Sequence, residues 1–163
     1  MAKIVRKGAV GALLDEYERA LQDFKTVIAD IPASIVPVII DSNTEDDNCR
    51  SIQTILTHVV HSGYGYATTI HNSKGHNQQR PPKIPRSGIV EYINDLDDVF
   101  RFTETVLNEF TDMELEQHNE AAKMLTSWGQ KYDAEQLMEH AIVHILRHRR
   151  QIERFKQNNY KLS

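Results

Sequence analysis

The chain has 163 residues, of which 40% are apolar and 26% are charged, and these proportions are typical of one soluble globular domain. Its formal charge of −4 argues against a general nucleic-acid or anionic-membrane binder, because such proteins are normally basic. A single cysteine, Cys49, excludes an intrachain disulfide and a cysteine-based zinc cluster. We therefore predict one domain over residues 1–163 in a reducing compartment, the cytoplasm.

Neither the amino terminus nor any apolar run predicts a secreted or membrane protein. Residues 1–10 contain three basic residues but lack the apolar core of a signal peptide. The longest apolar run, residues 35–40, is interrupted by Pro37 and is far shorter than the roughly 20 residues that a membrane helix needs. We expect neither a nucleic-acid partner nor a membrane partner.

The first half of the chain contains two predicted amphipathic helices. Apolar residues recur at spacings of three and four over residues 8–30, which is the period of a helix with one buried face, and Pro32 ends this helix. A polar linker follows at residues 41–48. The second helix is expected to begin at Ser51, a favourable N-cap, and to fray at residues 72–75.

The second half predicts a long loop and two further helices. Residues 76–86 are polar and contain three prolines, so they predict a loop that crosses between the second and third helices. Ser87 is expected to cap the third helix. Residues 123–132 are either irregular or a short extended piece, with Trp128 and Gly129 at a turn, and Asp133 caps the fourth helix. These elements predict an all-α four-helix bundle, with either up-down-up-down or crossed connectivity.

The fourth helix carries three histidines at one spacing, His140, His144 and His148. Residues four apart on a helix are neighbours, with Cβ atoms about 5–6 Å apart, so two such imidazoles can bind one metal ion. His144 belongs to both possible pairs. Because a catalytic zinc site typically has three protein ligands, another helix must supply the third. We predict His58, which lies among apolar residues of the second helix, with His61 as the alternative.

Other histidines and other metal motifs are less informative. His71, His76 and His118 lie in or near predicted loops and are expected at the surface. A zincin needs Glu directly after the first histidine of its pair, but Ala141 and Ile145 occupy those positions. The Glu-x-x-His pattern of a di-iron bundle is also missing. A mononuclear all-histidine site is left, beside the interpretation that these histidines are structural.

Two segments resemble a known superfamily. Residues 144–152 read His-Ile-Leu-Arg-His-Arg-Arg-Gln-Ile, and residues 51–58 read Ser-Ile-Gln-Thr-Ile-Leu-Thr-His. They are similar to the closing-helix pattern His-x-x-x-His-Arg-x-Gln-Ile and the second-helix pattern Ser-Ile-x-x-x-Leu-x-His of the DinB/YfiT-like superfamily of metal-binding four-helix bundles. The order and separation of the motifs also match. The sequence departs from this pattern at Arg150, where many relatives have glycine, and His140 is an additional histidine.

The resemblance implies a mononuclear site made by His58, His144 and His148, with zinc or nickel as the usual metal. It also implies a crossed connection between the second and third helices and frequent assembly as a homodimer. Some members of the superfamily resemble transferases that use low-molecular-weight thiols such as bacillithiol or mycothiol, and others are described as metal-dependent hydrolases. The resemblance therefore does not settle the function.

Three functions stay open at this point. The first is a metal-dependent thiol S-transferase or hydrolase that acts on a small molecule. Tyr66 and Trp128 then either line its pocket or are packing residues, and Gln151 can orient a ligand. The second is a non-catalytic metal-binding protein with a stress-response or sensory role. The third is a helical interaction module with structural histidines. Because no Asp or Glu is evident as a general base, thiol transfer is favoured over hydrolysis.

Overall fold

Four helices form most of the computed structural model, which describes residues 5–163. They are α1 (Gly8–Ile28), α2 (Ile52–Ser73), α3 (Ile89–Leu107) and α4 (Ala134–Gln157), with single 3₁₀ turns at Asp47–Cys49, Asp112–Glu114 and Glu120–Ala122. An antiparallel hairpin of β1 (Met124–Leu125) and β2 (Lys131–Tyr132) precedes α4. This architecture confirms the predicted all-α four-helix bundle.

The described residues also bear on the membrane prediction. None of the helices in residues 5–163 combines the length and the apolar character that crossing a membrane requires. Residues 1–4 belong to the segment in which we expect no signal peptide, and they lie outside the described residues.

Adjacent helices α2 and α3 run parallel to each other. Thr57 contacts Tyr92 near the starts of the two helices, and Tyr64 contacts Phe102 farther along both. A 19-residue helix such as α3 is about 28 Å long. The segment 74–88, which we call the crossing segment, must therefore return along the bundle. Its length allows this, because about 15 residues can span roughly 50 Å when extended. The connectivity is thus the crossed one, which helix periodicity had left open.

Two reciprocal caps fix the starts of the helices that carry the histidines. The Ser51 hydroxyl accepts a hydrogen bond from the Thr54 N–H at 3.0 Å, and the Thr54 hydroxyl accepts one from the Ser51 N–H at 3.0 Å. At α4, Asp133 accepts from the Gln136 N–H at 2.8 Å and Gln136 accepts from the Asp133 N–H at 3.0 Å. Each cap satisfies amide groups that have no partner within the helix. The N-cap at Ser51 and the reciprocal cap of Asp133 and Gln136 were predicted, whereas the return bond from Thr54 was not.

Two helix boundaries differ from the prediction. The N-cap of α3 is Gly88 and not Ser87. The side chain of Glu91 accepts a hydrogen bond from the Gly88 N–H at 3.0 Å, which is the half of a capping box that the N3 residue supplies. Helix α1 was predicted to extend to about residue 30, but it ends at Ile28, because the Ile31 N–H donates a hydrogen bond to the Ile28 carbonyl.

The core is formed by the apolar faces of the four helices. Its largest fully buried side chains include Tyr17, Phe24, Leu56, Tyr92 and Leu96. Gly63 lets α2 approach α3 closely, because a Cβ at this position would lie 2.6 Å from the Val99 Cγ1 atom. This close contact aligns α2, and with it His58, relative to the rest of the bundle.

Removing the Tyr92 hydroxyl is expected to destabilise the protein. This hydroxyl contacts the Thr57 hydroxyl at 2.6 Å, accepts from the Arg86 N–H at 3.0 Å and donates to the Gln53 carbonyl at 3.2 Å. Tyr92→Phe removes these three hydrogen bonds and should lower the free energy of unfolding by about 1–2 kcal/mol.

Urea denaturation measures this loss. Tyr64→Phe is the matched control, because the Tyr64 hydroxyl has no hydrogen-bond partner among residues 5–163, and it should change stability by less than about 0.5 kcal/mol. Equal unfolding midpoints for the two variants would show that the Tyr92 hydroxyl does not stabilise the end of the crossing segment.

Candidate metal centre

The structure brings together His58 from α2 and His144 and His148 from α4. The Nε2 atom of His144 lies 3.0 Å from that of His58 and 3.2 Å from that of His148. One ligand atom from each of the three imidazoles lies within 4.8 Å of the other two, so the cluster could hold one metal ion. Of the two pairs that the spacing allowed, the structure places His144 and His148 beside His58.

Burial keeps these imidazoles neutral. His148 is only 3% exposed, and His58 and His144 are half-buried. Burial lowers the pKa of His58 to about 4 and that of His144 to about 2, and it also lowers the pKa of His148. Repulsion between neighbouring rings acts in the same direction on His58 and His144. At neutral pH each ring therefore has a nitrogen lone pair available to a cation.

Gln151 determines which nitrogen of His148 carries the proton. The Oε1 atom of Gln151 lies 3.0 Å from the His148 Nδ1 atom, so Nδ1–H donates to the amide oxygen. The Nε2 atom of a neutral His148 then carries a lone pair directed at the cluster. The Ser62 Oγ atom lies 3.4 Å from the His58 Nδ1 atom, and a hydrogen bond between them can orient the His58 ring.

The cluster fits a cation better than it fits hydrogen bonding among the rings. A neutral His144 has a single N–H, so it cannot donate to both His58 and His148 through one Nε2 atom. Its Nδ1 atom is buried and has no hydrogen-bond partner among residues 5–163. One cation can instead accept all three Nε2 lone pairs. Neutral imidazoles are ligands that suit zinc and nickel.

A cleft of about 510 Å³ leads to the cluster. Its walls come from α2, the crossing segment, the hairpin and α4. His58 and His144 line the cleft, whereas His148 is buried beneath them. Tyr66 and Trp128, for which the sequence left open a pocket role and a packing role, both line it. The histidine cluster is therefore reached from an open cleft and is not enclosed in the core.

His140 and His61 lie outside the three-histidine cluster. The His140 ring stacks on Trp128 with a centroid separation of 5.0 Å and packs edge-on against Tyr66 at 5.4 Å. His61 lines the same cleft. Both residues, which were alternative ligands from sequence, contribute to the wall of the cleft instead. The hairpin that supplies Trp128 accounts for the position of the His140 ring.

The prediction that three histidines lie at the surface is partly wrong. His118 is exposed, but His71 is half-buried and stacks on His76 with a centroid separation of 3.7 Å and an angle of 3°. Both rings face Glu109, at 3.4 Å from His71 and 2.8 Å from His76. The crossing segment folds His76 back onto the end of α2. The nitrogen lone pairs of an imidazole lie in the plane of its ring. Because the two stacked rings are parallel, their lone pairs are not directed at a single ion.

The metal-free protein is expected to lose stability as the pH falls from about 6.5 towards 4. The pKa values of His58 and His144 in the folded protein lie below the value of about 6.5 in an unfolded chain. The unfolded chain therefore binds more protons in this range, and protonation favours unfolding. With allowance for partial exposure, we expect a loss of about 1–2 kcal/mol between pH 7.5 and pH 5.

Urea denaturation in the presence of a chelator measures this pH dependence. A variant with His58→Asn and His144→Asn is the control and should show a flatter dependence. An unfolding free energy that is the same at both pH values in the unsubstituted protein would contradict the lowered pKa values.

Comparison with known proteins places the chain in a family. Neither a curated protein nor a solved structure is similar enough to the chain to match it. The family model of the DinB family matches residues 7–154. This match covers α1, α2 and α3 in full and reaches the last turn of α4, and it includes the three clustered histidines. The chain therefore belongs to the DinB family.

Proposed function

We propose that the protein is a metal-dependent enzyme that activates a thiol or water for attack on a small electrophile. In this proposal His58, His144 and His148 hold one divalent cation, zinc or nickel. The observation that carries it is that their three Nε2 atoms converge beside an open cleft. Structural zinc sites are closed by four protein ligands, whereas catalytic sites keep one position open.

The chain's own residues prepare the site for such a reaction. Burial keeps the three imidazoles neutral, and Gln151 fixes the proton of His148 on the nitrogen that faces away from the cluster. Tyr66 and Trp128 supply apolar surface beside the histidines. A bound cation would supply one function, which is to lower the pKa of a thiol or water so that a nucleophile forms near neutral pH.

The residues of the cleft favour a thiol over water. Of residues 5–163, no Asp or Glu lines the cleft, so a carboxylate general base is missing there. A thiol needs this help less, because a thiol that coordinates a cation is deprotonated outright. In the reaction the thiol loses its proton to solvent and its sulfur forms a bond to carbon. The leaving group departs from that carbon with its bonding electron pair.

A reconstitution assay tests this function. Untagged protein is stripped of metal with a chelator, reloaded with zinc or nickel, and supplied with electrophiles and a panel of thiols, and separately with a panel of esters. We expect turnover that depends on the metal and that is lost in His144→Ala. Activity on neither panel, together with unfolding when the metal is removed, would instead favour a non-catalytic metal-binding protein.

A further inference from the structure

Among residues 5–163, those that line the cleft above the histidines include two cations and no carboxylate. The two cations are Arg80 and Lys83, and both come from the crossing segment. Neither side chain forms an ion pair with a carboxylate among residues 5–163, and Lys83 donates a hydrogen bond to the neutral Asn48 side chain at 2.8 Å. Two exposed arginines away from the cleft, Arg19 and Arg101, do pair with acidic neighbours.

The local sequence places these two cations on one side of the segment. Arg80 and Lys83 flank two consecutive prolines, Pro81 and Pro82. Proline fixes its own φ angle and confines the residue before it to extended conformations. In a polyproline II helix there are three residues per turn, so side chains at positions i and i+3 project from the same face. Both side chains accordingly line the cleft.

Helix α2 provides room for the Arg80 guanidinium. A Cβ at Gly65 would lie 2.6 Å from the Arg80 Nη1 atom and 3.1 Å from its Cδ atom. The arginine therefore lies directly against the helix backbone, two turns after His58, in space that any side chain at position 65 would fill. This glycine leaves room for the positive charge against α2, in the cleft that His58 and His144 also line.

The two cations act electrostatically on His61, which lines the same cleft. The pKa of His61 is lowered by burial and, in addition, by the positive charges of Arg80 and Lys83. The positive charge of the crossing segment is therefore felt inside the cleft.

We propose that Arg80 and Lys83 form an anion-binding subsite, so that the substrate is a small molecule with a carboxylate at one end and its reacting group at the other. The carboxylate lies against Arg80 and Lys83 while the reacting group, a thiol or an electrophilic carbon, lies at the histidines. Arginine binds carboxylates through two parallel N–H groups, and lysine adds a second charge. The reacting end rests on the proposed function, whereas the carboxylate end does not depend on it.

Matched pairs of thiols test the subsite. The protein is loaded with one cobalt ion and titrated with 3-mercaptopropionate or its neutral amide, and with 6-mercaptohexanoate or its amide. Fluorescence of Trp128, the single tryptophan, reports occupancy of the cleft. Thiolate-to-cobalt charge-transfer absorption reports separately whether the sulfur reaches the metal. We expect at least one acid to bind about tenfold more tightly than its amide.

Three variants locate this preference. Replacing Arg80 and Lys83 with glutamine should remove the preference for the acid, and Gly65→Ala should reduce it by displacing Arg80. A double variant with Arg19→Gln and Arg101→Gln removes the same net charge from exposed positions and should keep it. For each protein we compare the ratio of the dissociation constants for the acid and its amide. This ratio cancels the intrinsic difference between the two thiols when one protein is compared with another.

The two readouts separate the two proposals. Equal affinity for acid and amide at both chain lengths, or an unchanged preference in the Arg80 and Lys83 variant, would overturn the subsite. A preference seen by fluorescence without charge-transfer absorption would support the subsite and count against thiol activation. Charge-transfer absorption without a preference for the acid would support thiol activation and count against the subsite.

Discussion

His144→Ala is expected to reduce bound metal from one ion per chain to almost none. Among the clustered histidines, His144 is the central member, since its Nε2 atom lies 3.0 Å from that of His58 and 3.2 Å from that of His148. Without it two imidazoles from different helices are left, and a mononuclear site with three protein ligands becomes incomplete. Elemental analysis of untagged protein after reconstitution and dialysis measures the metal content.

His140→Ala is the matched control for this experiment. It removes an imidazole from the same helix face, one turn earlier, whose ring stacks on Trp128 instead of joining the cluster. This variant should keep one metal ion per chain. Loss of metal in His140→Ala, or retention of one ion per chain in His144→Ala, would contradict the assignment of the ligands.

Gln151→Leu is expected to weaken metal affinity about 10- to 100-fold while leaving the stoichiometry at one, because partners of ligating histidines typically contribute that much. The Gln151 Oε1 atom accepts a hydrogen bond from the His148 Nδ1–H group, with 3.0 Å between Oε1 and Nδ1. Leucine has a similar volume but lacks this acceptor oxygen. Nothing would then hold the His148 proton away from the cluster. Competition with a chromophoric chelator measures the dissociation constant.

The control for this substitution is Gln157→Leu, an identical change at an exposed position on the last turn of the same helix. It should leave the affinity unchanged. If Gln151→Leu bound metal as tightly as the unsubstituted protein, Gln151 would be a packing residue with no part in orienting His148.

The features that the sequence predicted well are local ones. The caps at Ser51 and Asp133 depend on residues three positions apart, so they can be read directly from the chain. The spacing of the histidines on α4 is equally local. These signals predicted the helices, and they predicted that His144 belongs to any metal site on this face.

The choice between His140 and His148 was not local. Each four-residue step rotates a side chain by about 40° around the helix axis, so the two candidates flank His144 on opposite sides. Which one meets His58 depends on where α2 lies against α4. In the folded chain His58 packs against His148, whereas Tyr66, two turns later on α2, and Trp128 of the hairpin contact His140.

The crossing segment shows the same limit. Its prolines predicted a loop. The sequence also shows that Arg80 and Lys83 flank two of these prolines. Their position in the cleft follows only from the parallel packing of α2 and α3, which makes the segment return past the metal cluster. For the same reason, the contact of His71 with His76 and Glu109 could not be predicted.

Anomalous diffraction from crystals of the reconstituted protein, recorded at the absorption edge of the metal, tests the central claim most directly. We predict a single peak about 2.0–2.1 Å from the Nε2 atoms of His58, His144 and His148, with at least one further ligand that is not protein and that faces the cleft. A peak elsewhere, or a fourth ligand supplied by a protein side chain that closes the site, would contradict a catalytic metal centre.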